Sequence, residues 1–180
     1  FRRVLFRSSF LKVLSDIPVK HDVKHESEDR RHESATPHYV LGVIDIDHFK
    51  SVNDRFGHLI GDEVLLLLSR LMRGSFRFHD LLYRFGGEEF VVLMRCDEEI
   101  HAGEAFERLR VNTERYAFPQ VGRITVSIGF TEVRSGDSPA TAFERADKAV
   151  YHAKANGRNQ VHNYAALVAG GIRSEEHTSE

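Results

Sequence analysis

Two adjacent carboxylates, Glu88 and Glu89, follow a glycine pair, Gly86 and Gly87, in the run Arg84-Phe85-Gly86-Gly87-Glu88-Glu89-Phe90. Apolar stretches flank it, Leu81-Leu82-Tyr83 before and Phe90-Val91-Val92-Leu93-Met94 after. The run therefore reads as a β-hairpin whose glycines supply positive φ angles and leave room for a ligand near the backbone. Adjacent acids at a turn do little to stabilise a fold, so a positive group is expected beside them. A solvated turn is the other reading of these four residues taken alone. A second pair of acids, Asp45 and Asp47, closes the apolar run 39–47. Two residues apart, they project from one face if the strand continues. Asp45, between Ile44 and Ile46, is costly to bury without a cation or partner, whereas Asp47 also suits a strand running out into solvent. Lys154 and Arg158 lie about a turn apart at the end of a helical stretch, where cations favour the helix dipole whatever else they do.

The elements that must position these residues are legible in order. Residues 9–17 carry helical periodicity before Pro18, and 19–38 form a polar, histidine-rich loop. His21, His25, His32 and His38 are irregularly spaced and no cysteine joins them, which favours a solvated loop over a metal site. A buried strand spans 39–47. A short helix comes next at 48–56, with Phe49, Val52 and Phe56 on one face and Lys50, Asn53 and Asp54 off it. Gly57 and Gly61 are expected to break the chain around His58, and a second helix is expected from Asp62 to about Arg73. Asp62 would then sit in its first turn, where a carboxylate suits the dipole. After the hairpin come an amphipathic helix at 98–116, with Ala102, Ala105, Phe106 and Leu109 inward, and a strand at 123–133 whose Thr125, Ser127 and Gly129 interrupt apolar positions. Ser138 and Pro139 start the last helix as N-cap and first-turn proline, Gly157 ends it, and 160–164 reads as an edge strand. The order β-α-α-β-β-α-β-α argues an α+β fold, a mainly antiparallel sheet with helices packed on it, like the ferredoxin-like palm.

Composition bounds the function. With 41% hydrophobic and 10% aromatic residues in a total of 180, the chain can bury one domain's core. A net charge of −2 gives no general attraction to nucleic acid or to an anionic membrane, so phosphate binding must be local. The single cysteine, Cys96, excludes an internal disulfide framework and reads as a packed thiol. No apolar run approaches the roughly 20 residues of a membrane span. Residues 1–8 and 173–180 resemble in-frame translations of a sequencing-library adaptor and are set aside from the fold, with 165–172 a short tail.

Four separated blocks, in order, resemble the GGDEF domain of bacterial diguanylate cyclases: residues 45–62, the hairpin 84–90, the strand 125–129 and the helix end 146–159. The resemblance runs from about Val40 to Val161 within a domain at 9–164. It implies the palm of nucleotidyl cyclases and the condensation of two GTP into cyclic di-GMP with release of two pyrophosphates. It also implies two Mg²⁺ ions per active site, or Mn²⁺ in their place, held by Asp45, Glu88 and the carbonyl of Ile46, with Glu89 supporting the metal or deprotonation of the attacking hydroxyl. Glu88 stands where the name-giving motif has aspartate and keeps the oxygen ligands. Asn53 and Asp62 match the guanine-contacting pair. Lys154 and Arg158, with Gly86, Gly87, Lys50 and the amides near His48 and Phe49, match the residues around the triphosphate. Arg77 and Asp80 match an R-x-x-D product-inhibition element, completed by Arg108 or Arg110 from the next helix. In isolation, those two residues equally describe charged groups in a turn.

The family's opening block, of the form D-x-L-T-G-L-x-N-R, is missing, and Ser9-Phe10-Leu11 resembles the family's residues just after that block. The expectation is a cytoplasmic domain cut from a longer protein, compatible with an inner-membrane anchor and a sensor region before it. Each active site of the family holds one GTP, so two domains must face each other as a homodimer. Two other readings remain at the level of sequence: a cyclic di-GMP receptor acting through Arg77 and Asp80, and a GTP-binding regulatory domain attached to a phosphodiesterase. Intact Asp45, Glu88 and Glu89 favour the cyclase, because a receptor has no need of metal ligands.

Overall fold

A computed structural model describes residues 5–6, 38–96 and 99–171. The helix expected at 9–17, and the loop with His21, His25 and His32, lie outside the described residues. The elements run β1 (Leu5–Phe6), β2 (His38–Ile46), α1 (Phe49–Phe56), α2 (His58–Ser75), β3 (Leu81–Gly86), β4 (Glu89–Cys96), α3 (Glu99–Arg115), β5 (Val126–Glu132), α4 (Pro139–Ala155), β6 (Val161–Asn163) and α5 (Tyr164–Ala169). The strands form one sheet in the order β1-β3-β4-β2-β5-β6. The three central pairings, β3 with β4, β4 with β2 and β2 with β5, are antiparallel. This is the α+β palm that the element order predicted, with helices on both faces of the sheet.

Period-two alternation divides the core. Val40, Ile44 and Ile46 of β2, with Phe90, Val92 and Met94 of β4, face α1, α2 and α3. Leu41 and Val43, with Val91 and Leu93, face α4. The odd-numbered positions of β2 and β4 thus point at α4, which decides where Asp45 and Glu89 go.

Glycine and alanine set how close that helix lies. Ala142, Ala146, Ala149 and Ala153 of α4 are fully buried. A Cβ on Gly129 would stand 2.2 Å from the Ala146 carbonyl oxygen, so α4 rests directly on β5 there. On the opposite face, Gly42 admits the Phe106 ring, whose Cζ would be 2.1 Å from an added Cβ. The α4 N-terminus is a reciprocal cap, Ser138 Oγ accepting from Thr141 N and Thr141 Oγ1 from Ser138 N, with Pro139 in the first turn.

Five expectations change. Gly57 and Gly61 do not bracket a break: α2 begins at His58 and carries Gly61 inside it. Gly61 is there for close packing, since a Cβ would meet Asn53 Oδ1 at 1.9 Å. Asp62 consequently lies in the second turn, beyond the reach of an N-terminal cap. His38 belongs to β2, its Nδ1 2.9 Å from Glu132 Oε1. Leu5 and Phe6, set aside with residues 1–8, pair in parallel with Tyr83 and Arg84 of β3, whose outer edge offers unpaired amides and carbonyls to any extended segment. The tail after β6 forms α5, capped by Asn163 Oδ1 accepting from Ala165 N. Among the described residues, no helix is long and apolar enough to cross a membrane.

Candidate active site

The β3–β4 turn has the geometry its glycines require. Gly86 (φ 121°) and Gly87 (φ 48°) both occupy the positive region, and the strand register shifts between Arg84 and Gly86. Apart from the chain neighbours, no atom of the described residues lies within 4 Å of where a Cβ on either glycine would be, so the turn has open space above it. Arg84 Nη2 donates to the Gly87 carbonyl at 3.1 Å and holds the turn closed. Sequence reasoning gave Arg84 no role, although it stands at the mouth of the motif.

Register places the acids together. Asp45 is directly opposite Glu89 across β2 and β4, and Ile46 N donates to the Glu88 carbonyl at 3.3 Å. Facing α4, Asp45 Oδ2 meets Lys154 Nζ at 2.8 Å. The positive group expected beside the acids is therefore Lys154 from the end of α4. The other oxygen, Asp45 Oδ1, is buried and has no hydrogen-bond partner among the described residues. Burial raises the Asp45 pKa, against the opposing pull of Lys154, and the Glu88 and Asp47 charges raise it further. Glu89 is pushed up to about 7, first by burial and then by the charges of Asp147 and Asp45.

An acceptor-only oxygen, buried and unpartnered beside two further carboxylates, suits a hard divalent cation. Asp45, Glu88 and the Ile46 carbonyl are the groups that would hold it. Among the described residues no three His, Cys, Asp or Glu side chains converge as a complete cage.

His48, next along the chain, is left-handed (φ 56°) and starts α1 without a side-chain cap or an acid in the first turn. The α1 amides thus remain available to an anion. Phe49 is buried and offers only its backbone, while Lys50 is exposed. A cleft of about 450 Å³ lies beside this end of the helix, lined among others by Asp47, His48, Arg55, Arg123, Arg158 and Asn159. Arg158 reaches it from a turn after α4 in which Gly157, Arg158 and Asn159 all have positive φ (107°, 62° and 49°). Asn53 packs on Gly61, the residue before Asp62, which is itself exposed.

Asp47 does not run into solvent. It is 5% exposed and accepts from Thr125 Oγ1 (2.7 Å), Ser127 Oγ (2.6 Å) and Asn159 N (3.0 Å). The signal that could have found it was the polar alternation of Thr125 and Ser127 in an otherwise apolar strand.

The R-x-x-D element lies between α2 and β3. Asp80 is 2% exposed, its Oδ2 accepting from Arg77 N at 2.7 Å, so it builds the turn that displays the exposed Arg77. Arg108 of α3 reaches the end of α2 just before that turn, donating through Nη2 and Nε to the Ser75 carbonyl at 2.6 and 3.2 Å. Arg110 points elsewhere, with Nη1 2.9 Å from Asn159 Oδ1. Geometry thus separates the two candidate arginines: Arg108 is anchored at Ser75, two residues before Arg77, and Arg110 at Asn159.

The diguanylate cyclase GGDEF domain model matches residues 16–160. Over 135 residues the chain is 42% identical to the diguanylate cyclase DgcP of Pseudomonas aeruginosa, which is 73% of this chain and 20% of that protein. It is 42% identical over 130 residues to the response regulator PleD of Caulobacter vibrioides, covering 69% of this chain and 29% of that one. The chain therefore spans a fifth to about half of the length of the curated relatives it matches. Among solved structures, it resembles the GGDEF domain of DgcB from Caulobacter crescentus in complex with c-di-GMP, at TM-score 0.68 and 33% identity over 72% of this chain and 79% of that one. It also resembles the active GGEEF domain of a diguanylate cyclase from Vibrio cholerae, at TM-score 0.66 and 36% identity over 71% and 83% of the two chains. The chain belongs to the GGDEF family, the diguanylate cyclase domain.

Proposed function

We propose that this domain is the catalytic part of a diguanylate cyclase, joining two GTP molecules into cyclic di-GMP and releasing two pyrophosphates. The observation that carries the reading is the acidic cluster itself: Asp45 with one unpartnered buried oxygen and one on Lys154, directly opposite Glu89 and next to Glu88. Such a cluster is unfavourable in a protein without a cationic ligand, and it suits a magnesium nucleotide. Asp45, Glu88 and the Ile46 carbonyl hold the ions in this reading. Two bound Mg²⁺ would neutralise the triphosphate and acidify the 3′-hydroxyl.

The chain's own residues divide the remaining tasks. Lys154 and Arg158, with Lys50, Gly86, Gly87 and the amides at His48 and Phe49, receive the triphosphate; Lys154 exchanges Asp45 for a phosphate when substrate arrives. Asp62 accepts from N1–H and the 2-amino group of guanine, with Asn53 beside it, which selects GTP over ATP. Glu89, held close to neutrality, takes the proton of the attacking hydroxyl. Each domain holds one GTP, so the bond-forming step joins two domains as a homodimer. Product returns to the exposed Arg77 and to Arg108, and slows turnover there.

Incubating the protein with GTP and Mg²⁺ and quantifying nucleotides and pyrophosphate tests the reading. Two GTP should disappear for each cyclic di-GMP formed, with two pyrophosphates released. Conversion to GDP and inorganic phosphate, or no conversion by protein that binds GTP, would overturn it.

A further inference from the structure

Asp45 in β2 and Asp47 just past its end are two residues apart, yet their surroundings are opposite. Asp45 keeps one oxygen unpartnered. Asp47 has none to spare: Oδ1 accepts from Ser127 Oγ, and Oδ2 accepts from both Thr125 Oγ1 and Asn159 N. Its own amide donates to the Thr125 carbonyl at 3.0 Å. A cation would have to displace donors that are already well placed, so Asp47 is no ligand.

What it holds is the turn after α4. Gly157 is followed there by two non-glycine residues, Arg158 and Asn159, in the left-handed region. Consecutive side-chain-bearing residues rarely adopt that conformation, and it persists only where the surroundings enforce it. The enforcing contacts come from three elements. Asp47, just past the end of β2, takes the Asn159 amide. Arg110 of α3 takes the Asn159 side chain and is itself fixed by Glu107 and Glu114. Ile128 of β5 donates to the Gln160 carbonyl at 2.9 Å.

We propose that Asp47 is a positioning residue for nucleotide binding, which clamps the 157–159 turn to β2 and so fixes Arg158 at the triphosphate, with Arg110 as the outer half of the clamp. Asp45 and Asp47, at and just past the end of β2, then orient the two cations at and just past the end of α4, Asp45 through Lys154 and Asp47 through the turn that bears Arg158. The inference rests on the cyclase reading in one respect, that Arg158 faces the triphosphate.

The test is steady-state turnover of GTP, with calorimetric binding of GTP and thermal midpoints, for wild type, Asp47→Ala, Asp47→Asn and Arg110→Ala. An asparagine with its oxygen toward Thr125 and Asn159 keeps both of those bonds, and its amide can donate to Ser127 Oγ, which then accepts where it donated to Asp47. Asp47→Asn should therefore restore what Asp47→Ala loses. Asp47→Ala should raise KM and the dissociation constant of GTP about tenfold, the effect of misplacing one charge-assisted phosphate contact, with a smaller change in kcat. Arg110→Ala should shift KM the same way without touching β2, and so reports on the clamp even if Asp47→Ala folds poorly. Folded Asp47→Ala and Arg110→Ala with wild-type KM would overturn the proposal. So would an Asp47→Asn variant whose Mg²⁺ requirement rises as that of Asp45→Asn does, because that is the mark of a ligand. Wild-type protein that binds GTP but forms no product would remove the cyclase reading, while the binding constants still judge the clamp.

Discussion

At the level of single residues, Lys154 occupies the place beside Asp45 that the acids would otherwise leave to solvent or metal. Replacing it by methionine keeps the stem on the helix and removes the ion pair. Weaker GTP binding is expected, together with a lower midpoint for Mg²⁺ in the absence of nucleotide, because Asp45 then has no competitor for the ion; an unchanged Mg²⁺ midpoint in calorimetry would place the ion elsewhere. Glu89 supplies a pH dependence. Its pKa in the folded protein is about 7 against an ordinary 4.5, so the folded chain binds this proton more tightly than the unfolded one. The resulting stability is complete below the ordinary value and is lost as pH rises through the folded one. In metal-free protein the thermal midpoint of wild type should therefore fall relative to that of Glu89→Gln between about pH 4.5 and 7. Parallel pH profiles of the two proteins would show that Glu89 is not perturbed. Asp45, Glu88, Glu89 and Lys154, which the sequence singled out, stand together in the fold, whereas Asp47 reads from sequence as a strand end. Its donors lie 78, 80 and 112 residues away along the chain, a distance that no local pattern spans.

At the level of elements, the site depends on how closely α4 approaches the sheet. Gly129→Ala would put a methyl group into the Ala146 carbonyl, with Val150 N and Ala149 Cβ at 2.5 and 2.7 Å behind it. The helix must move, and overpacking of this kind costs about 3 kcal/mol. Because α4 carries Lys154 and leads to Arg158, GTP affinity should fall along with the denaturation midpoint; a stable variant of wild-type affinity would mean that α4 does not position the site. Ser138→Ala removes one half of the cap at the other end of α4 and should cost about 1 kcal/mol in chemical denaturation, with little change in KM. Element type was readable from periodicity almost throughout. Glycine was the source of error. Gly57 and Gly61 carry the same letter, yet Gly57 has φ 86° at a helix start while Gly61 lies within α2 to admit Asn53. Which use applies depends on a neighbouring helix that the local sequence does not contain. The short helix at 164–169 was likewise hidden, since its apolar residues are mostly exposed and mark no core face.

At the level of the whole molecule, the antiparallel order β3-β4-β2-β5 brings the ends of β2 and β4 together, and with them three acids from two parts of the chain. The sequence announced this arrangement through family blocks more than through any physical rule, since strand order is set by long-range pairing. α3 links the two proposed sites, with Arg108 on the last residue of α2 and Arg110 on the turn after α4. The acidic cluster, on this account, does chemistry and is not merely a place where nucleotide binds. The measurement that tests that claim most directly is chromatographic detection of cyclic di-GMP from wild type and Glu88→Gln at equal GTP occupancy. Glu88→Gln keeps the size and polarity of the side chain and loses only its charge. The account predicts abundant product from wild type and almost complete loss in the variant, with GTP still bound by both. Equal product from the two proteins would contradict the role of Glu88, and product from neither would leave the domain a nucleotide-binding module.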